Sequence, residues 1–501
     1  MKTYVIAETY FAFRGSIVLF FPSLFSPSIS HFHFRPTMSL RRIAIIGGGP
    51  AGLAAAKALV SEPVKFTIDL FERRSNVGGL WYYHGDKSKV LPSVPSVDPN
   101  GGEILLPNGG FENRFFSPMY NHLETNLIDR MMEFKDVPFE PRHLAYLSRS
   151  EVQEYMLKYA ASIPEGVNFH LNTSVTRVFK ENGEWSVSFE HVQTQEAQEK
   201  KYDAVIVSNG HSDLPFIPDT EGISDWNEKA PGTVTHAKYY VDAEQYWGKN
   251  VLVIGNYASG VDLATQISTT AKHVYVSMKD QSELIEIEED NVSYLQLVTK
   301  YDYDANKSAY TIDGKTVSNI DVIVFCTGYL YTLPFLNDYL PGITDGNYVK
   351  DLYKQIFNVE DPTLSFIGLP KFIVPMPLSE SQSAIVARVY SGRIQLPSLE
   401  ERKASYEEEI ATKGTGKPFH SLKPPADYTY CNELYDWIKK ENTDDVGLVP
   451  IYWDSQKIKD RHMAKEIKDK RYLEVVEYAK KLKSEGKAFV LPPRAQPIDY
   501  E

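Results

Sequence analysis

Cysteine is nearly absent: Cys326 and Cys431 are the only two in 501 residues, they lie 105 positions apart, and neither belongs to a CxxC. That argues against a disulfide scaffold and a cysteine zinc site, and it removes the redox-active pair that a pyridine-nucleotide disulfide reductase requires. Positive charge is also in short supply. The 53 basic and 66 acidic residues leave a net charge of -13, so nucleic acid and anionic lipid are repelled on average and no nucleic-acid partner is expected. Long apolar runs are missing too. The run Ile17 to Phe21 is cut by Pro22 and falls far short of the roughly 20 apolar residues that span a bilayer, so no transmembrane segment is expected. What remains is an ordinary globular balance, 43% hydrophobic and 24% charged, which excludes a disordered, collagenous or coiled-coil chain. The length then implies two large domains, or one interrupted by another.

Residues 1–37 differ from everything after them. They hold seven of the 25 phenylalanines, and Glu8 and Arg14 interrupt the only stretch that resembles a signal sequence. They read as a disordered extension ahead of Met38.

Chemistry first appears at Arg41 to Ile46, a short branched apolar run of the kind that forms a parallel strand covered on both faces. Gly47-Gly48-Gly49-Pro50-Ala51-Gly52 follows and fits G-x-G-x-x-G, with an alanine-rich helical stretch from Ala51 to Leu59. Gly47 permits the tight turn, Gly49 admits the backbone to a pyrophosphate, and Gly52 lets strand and helix pack closely at a positive helix end. A second strand, Phe66 to Glu72, ends in an acid 20 positions after Gly52, where a ribose-binding carboxylate belongs. Glu72 would repel a 2'-phosphate, so this loop suits FAD or NAD. Arg73, Gly78, Gly79 and Trp81 follow at once, and a second glycine pair lets backbone approach an extended cofactor again.

The pattern recurs. Val251 to Ile254 leads into Gly255-Asn256-Tyr257-Ala258-Ser259-Gly260 and a helical stretch, Val261 to Ile267. Its following strand, His273 to Ser277, ends without an acid and is succeeded by Lys279, an arrangement that tolerates the 2'-phosphate of NADPH. Lys279 alone is equally compatible with a solvated surface lysine, and both readings stand. Tyr257 occupies the place of the middle glycine, so this loop is expected to bind its dinucleotide less well. Two similar segments, Asp203 to His211 and Asp321 to Tyr329, each an acid, an apolar strand and a glycine turn, bracket the second loop. The economical architecture is α/β with two Rossmann-like units: a flavin domain from 38 to 212, an NADPH domain at 213–328 inserted into it, and a return to the flavin domain over 329–501. The last hundred residues are charge-rich, and Lys457 to Lys487 reads as a solvated helix without chemistry.

With these segments in place the sequence resembles the flavin-containing monooxygenases, most closely their fungal thiol-oxidising members. The resemblance rests on Gly47 to Gly52, Glu72-Arg73-Arg74, Gly78 to Trp81, Tyr120 to Asn126, Gly232 to Tyr240 and Thr327 to Tyr329. The family fingerprint F-x-G-x-x-x-H-x-x-x-[FY] falls on Gly232, His236 and Tyr240, with Ala230 in place of Phe. His236 reads as a structural residue at the domain junction. The resemblance implies FAD and NADPH as cofactors, O2 as co-substrate, and a C4a-hydroperoxyflavin that oxygenates a small soft nucleophile, a thiol or an amine. It assigns Asn126 the hydrogen bond near the flavin. It makes Gly47, Gly49, Pro50, Ala51, Gly52, Leu53, Glu72, Arg73, Leu80, Trp81, Asn126, Leu127, Val175 and Thr176 flavin contacts, and it brings Ser379 to Gln382 toward the flavin. Gly255, Asn256, Tyr257, Ala258, Ser259 and Lys279 become NADPH contacts. An N-hydroxylase of amines or amino acids, or a flavoprotein impaired in NADPH use, is the alternative. A cytoplasmic place follows from the resemblance, which leaves open attachment to the cytosolic face of the endoplasmic reticulum and a homodimer.

Overall fold

The structure, a computed structural model, describes residues 40–83, 90–105, 115–139, 146–279 and 290–493; the segment read above as an extension lies outside them. Strands rich in branched apolar residues build two sheets, the first mostly and the second wholly parallel. In the first, β1 (Arg42–Ile46) pairs with β2 (Thr67–Phe71), and β2 pairs with β3 (Val167–His170). A separate antiparallel sheet follows, β4 (Thr173–Glu181), β5 (Glu184–His191) and β6 (Ala197–Tyr202). The chain then returns as β7 (Ala204–Val207) on the other side of β1.

The second sheet is parallel throughout, in the order β8-β12-β9-β10-β11, from β8 (Val234–His236), β9 (Asn250–Ile254), β10 (His273–Ser277), β11 (Val292–Leu295) and β12 (Val322–Phe325). Only after it does the chain complete the first sheet with β13 (Leu352–Tyr353), β14 (Phe357–Asn358) and β15 (Leu364–Phe366), β15 lying parallel to β7. Every strand of the second sheet thus falls between two strands of the first. One Rossmann-like unit interrupts the other, and the two connections run side by side as Leu214–Pro215 paired with Tyr329–Leu330.

The two similar acid-strand-glycine segments explain each other in space. β7 and β12 occupy the same place, beside the strand that leads into the glycine loop of their own sheet, and each leading acid ties that strand's start: Asp203 accepts from the Arg41 and Arg42 amides and Asp321 from the Asn250 amide. The alanine-rich helix α1 (Pro50–Val60) is buried almost all round. Its small side chains let it lie against the sheet on one side and helix α3 (Pro375–Tyr390) on the other, within the largest apolar core. In the second unit, helix α2 (Ala258–Ser268) covers one face of the sheet and short antiparallel strands between Val298 and Val317 cover the other.

The charged C-terminal stretch departs from the solvated helix expected of it. It does form a helix, α4 (Ser455–Ser484), but Ile467, Tyr472, Val475, Val476, Ala479 and Leu482 are buried, and Tyr472 and Val476 enter the core beneath α2. The alternating charges conceal a narrow apolar stripe, whose period the many lysines dilute. Among the described residues no helix is long and apolar enough to cross a membrane.

Candidate dinucleotide and flavin site

Both glycine loops sit at the carboxyl ends of the central strands, where open α/β sheets bind ligands. Gly47 turns the chain out of β1 with a φ of 106°, and Gly255 does the same after β9 with 103°; both values favour glycine. Gly52 and Gly260 serve close approach instead. A β-carbon at Gly52 would lie 1.9 Å from the Gly47 carbonyl oxygen, and one at Gly260 would lie 1.9 Å from that of Gly255. Neither α1 nor α2 has a side-chain cap at its N-terminus, which begins at Gly49 and Pro50 in the first and at Tyr257 in the second. Uncapped amides at the positive end of a helix, set in a cradle that a β-carbon would fill, fit a pyrophosphate.

Around the first loop the residues are organised by their own hydrogen bonds. Glu72 is buried; one carboxylate oxygen accepts from the Gly48 amide at 2.8 Å and the other from the Arg74 amide at 2.9 Å. The carboxylate is therefore aimed before any ribose arrives, with lone pairs left to accept hydroxyl groups. Ala51 and Leu53 are buried in α1. Leu80 and the buried Trp81 lie on a single helical turn, Gly79–Trp81, and Gly79 approaches Gly49 backbone to backbone. β4 starts beside Glu72, with the Thr173 amide donating to its carbonyl; Val175 is half-buried two residues on and Thr176 is exposed.

Arg73 does not stand free. Its guanidinium pairs with Asp213 at 2.7 Å and lies over the Phe115 ring. Asp213 also meets Lys238 at 3.2 Å, and Lys238, itself buried, pairs with Glu103 at 2.7 Å. Burial alone would raise the Asp213 carboxyl, but Arg73 and Lys238 outweigh it and hold it well below the usual range. This ion network ties the first glycine unit to the connection leading into the second. His236, two residues before Lys238, is a structural group: Nδ1 accepts from the Lys238 amide at 3.1 Å, which leaves Nε2 to donate to the Gly328 carbonyl at 3.0 Å. Burial pushes it down to about 3, so it stays neutral at physiological pH and has no spare nitrogen for proton transfer. Tyr240 donates to Gln266 on α2 at 3.0 Å.

In the second loop Tyr257, Ala258 and Ser259 are exposed and Asn256 is half-buried. Tyr257 has an ordinary extended conformation, φ -95° and ψ -169°, and its ring meets Phe372 edge-on at 5.5 Å. The backbone therefore does not demand glycine at this position. Lys279 lies exposed just beyond β10.

Asn126 is exposed on a segment anchored from both sides. Thr125 is buried; its hydroxyl donates to the Leu127 carbonyl at 2.9 Å and accepts from the Leu147 amide at 3.0 Å. Glu124 receives both arms of Arg471, at 2.9 and 3.1 Å, and Lys468 donates to the Thr125 carbonyl at 3.0 Å. Both cations come from α4. Sequence reading missed them because a charged helix some 340 positions away carries no local signal of what it will touch.

Ser379, Glu380, Ser381 and Gln382 are buried on α3. Gln382 accepts from the Gly368 amide at 2.8 Å and donates to Tyr430, while Glu380 accepts from the Lys135 amide at 3.0 Å and the Tyr159 hydroxyl at 3.1 Å. Burial pushes the Glu380 carboxyl from 4.5 up to about 7. A raised acid favours the folded state while it is protonated, so this stabilisation is present at acid pH and is lost as pH climbs through about 7. Glu380→Gln is expected to be more stable than the parent at pH 8 by on the order of 2 kcal/mol, and equal to it near pH 4.5. Urea midpoints at the two pH values check this; a gap that does not change with pH refutes it.

Comparison with known proteins bears on these loops directly. The family described as flavin-binding monooxygenase-like matches residues 113–303 and 299–441. An NAD(P)-binding Rossmann-like domain matches residues 45–99, which contain the first glycine loop. The thiol-specific monooxygenase of Saccharomyces cerevisiae is 30% identical over 90% of this chain and 98% of its own length. The flavin-containing monooxygenase FMO GS-OX4 of Arabidopsis thaliana is 34% identical over 79% of this chain and 84% of its own. Among solved structures, S-allyl-L-cysteine S-oxygenase from Allium sativum superposes with a TM-score of 0.72 at 28% identity, covering 89% of this chain and all of that one.

Proposed function

Because this chain belongs to the flavin-containing monooxygenase family and takes FAD and NADPH as its cofactors, we propose that it is an NADPH- and O2-dependent oxygenase of small thiols. The observation that carries the reading is the pair of uncapped helix ends, each behind a glycine cradle and only one followed by an acid. FAD is assigned to the loop with Glu72 and NADPH to the loop with Lys279. The name of the yeast relative supports a thiol substrate, and that of the Allium sativum relative, which acts on a thioether, supports sulfur as the reacting atom.

When bound, the flavin supplies hydride acceptance and oxygen activation; the chain's own residues bind, orient and shield. Gly47 to Leu53 hold the flavin pyrophosphate, Glu72 accepts the ribose hydroxyls, and Arg73, Leu80, Trp81, Leu127, Val175 and Thr176 border the rest. Asn126 donates a hydrogen bond near the reacting ring from a segment that α4 keeps in place. Gly255 to Ser259 hold the nicotinamide dinucleotide. Substrate oxygenation needs no acid-base dyad, and neutral His236 is consistent with that.

An anaerobic titration tests the reading. NADPH should bleach the yellow protein, and readmitted oxygen should be consumed faster with cysteamine than with ornithine. A preparation that takes up no FAD overturns it, and faster turnover with ornithine selects the N-hydroxylase alternative. Tyr257 motivated the idea of impaired NADPH use. Its extended backbone, which a side chain does not strain, and its ring resting against Phe372 lead to the opposite expectation: Tyr257→Gly should change the NADP+ dissociation constant by less than about threefold, or ~0.65 kcal/mol, measured by quenching of flavin fluorescence. A tenfold gain in affinity would restore the impaired reading.

A further inference from the structure

A chain with a surplus of 13 acidic charges brings several lysines together past the carboxyl ends of the second sheet's central strands. Lys417 lies over the Phe216 ring at 4.4 Å, and the Phe216 amide donates to the Gly328 carbonyl just past the carboxyl end of β12. Lys371 lies over the Tyr331 ring at 4.2 Å, directly after the second connection between the sheets. Its neighbour Phe372 touches Tyr257 at the N-terminus of α2. No ion pair joins Lys279, Lys371 or Lys417 to a carboxylate among the described residues. Their charges reach one another: burial and Lys417 press Lys371 down to about 8, and burial and Lys279 lower Lys417. Like charges gathered on aromatic rings, with water partly excluded, are unfavourable until an anion joins them.

We propose that Lys371 and Lys417, supplied by the part of the chain that follows the inserted unit, face Lys279 and complete a binding site for the phosphate groups of the nicotinamide dinucleotide. The inference rests on assigning NADPH to the second loop, and it adds what that loop lacks. α2 offers uncapped amides from one side of the cleft, and the two lysines offer charge from the other. The dinucleotide is then held by both parts of the chain at once, so its binding draws them together.

The test uses the FAD-loaded protein and measures dissociation constants for NADP+, NAD+ and 2',5'-adenosine bisphosphate by titration calorimetry at two salt concentrations. Lys371→Gln and Lys417→Gln should each weaken NADP+ tenfold or more and flatten its salt dependence, with flavin content and melting temperature unchanged; Lys417→Arg should recover most of the affinity. Weakening of NADP+ and the bisphosphate, with NAD+ spared, places the 2'-phosphate between the lysines. Equal weakening of NADP+ and NAD+ places the pyrophosphate there, and either result supports the proposal. If the parent protein binds NADP+ and both Gln variants bind it as tightly, the proposal fails while the loop assignment survives. If the parent binds no nicotinamide dinucleotide, both fail.

Discussion

Gly52→Ala should yield a colourless protein, with less than a tenth of the flavin bound by the parent and an FAD dissociation constant at least a hundredfold higher. The reason is local. The new β-carbon would sit 1.9 Å from the Gly47 carbonyl oxygen, 2.9 Å from the Ser208 hydroxyl and 3.0 Å from the Gly47 carbonyl carbon. Backbone atoms cannot rotate away as a flexible side chain can, so β1 and α1 must separate. Overpacking of a core typically costs about 1–3 kcal/mol, and a clash with backbone falls at or beyond the upper end. The shift opens the cradle in which the pyrophosphate is to lie. Gly260→Ala supplies the matching control, since its β-carbon meets the Gly255 carbonyl oxygen at the same 1.9 Å. That variant should remain yellow and lose NADP+ binding. The ratio of absorbance at 450 nm to 280 nm, with an NADP+ titration of each variant, reads both effects. A fully yellow Gly52→Ala protein would falsify the assignment of FAD to the first loop.

The second large effect is expected at Glu124 and Arg471. Their side chains are 13% and 7% exposed and meet through a two-armed contact. Removing one partner of an isolated buried pair costs about 3–5 kcal/mol; because Glu474 stays 2.9 Å from Arg471 and Lys468 stays 3.9 Å from Glu124, a smaller loss, about 2 kcal/mol, applies. Glu124→Gln and Arg471→Met should each lose that much by urea unfolding, and the double variant should lose clearly less than the sum. A functional signature accompanies the loss. Glu124 is two residues from Asn126, and the Thr125 carbonyl between them is held by Lys468 of the same helix. Once the anchor is cut, the asparagine amide no longer holds one position, and the fraction of NADPH oxidation that ends as hydrogen peroxide should rise several-fold. A stable double variant with unchanged peroxide release would separate α4 from the flavin site.

The two glycine loops could be read from the chain because their physics is local. A strand, a turn, a close approach and a helix end must follow one another within a few residues, and only glycine meets the turn and the close approach. The paired segments at Asp203 and Asp321 were legible for the same reason, each acid tying down the start of its neighbouring strand. Tyr257 shows the limit of such reading. The pattern marks it as a departure from glycine, but the ring that it meets, Phe372, stands 115 positions away and has no trace in the motif.

What the sequence determined by itself was the kind of protein: two glycine cradles, one with an acid and one with a lysine, in a chain too poor in cysteine for disulfide chemistry. What tertiary structure alone decided was the company those cradles keep. Arg471 and Lys468 reach the Asn126 segment across some 340 positions, and Lys371 and Lys417 come to the carboxyl end of a sheet to which their own segment contributes no strand. Charge on a flexible side chain has no period and no required spacing, so its partner is fixed only when packing brings distant surfaces together.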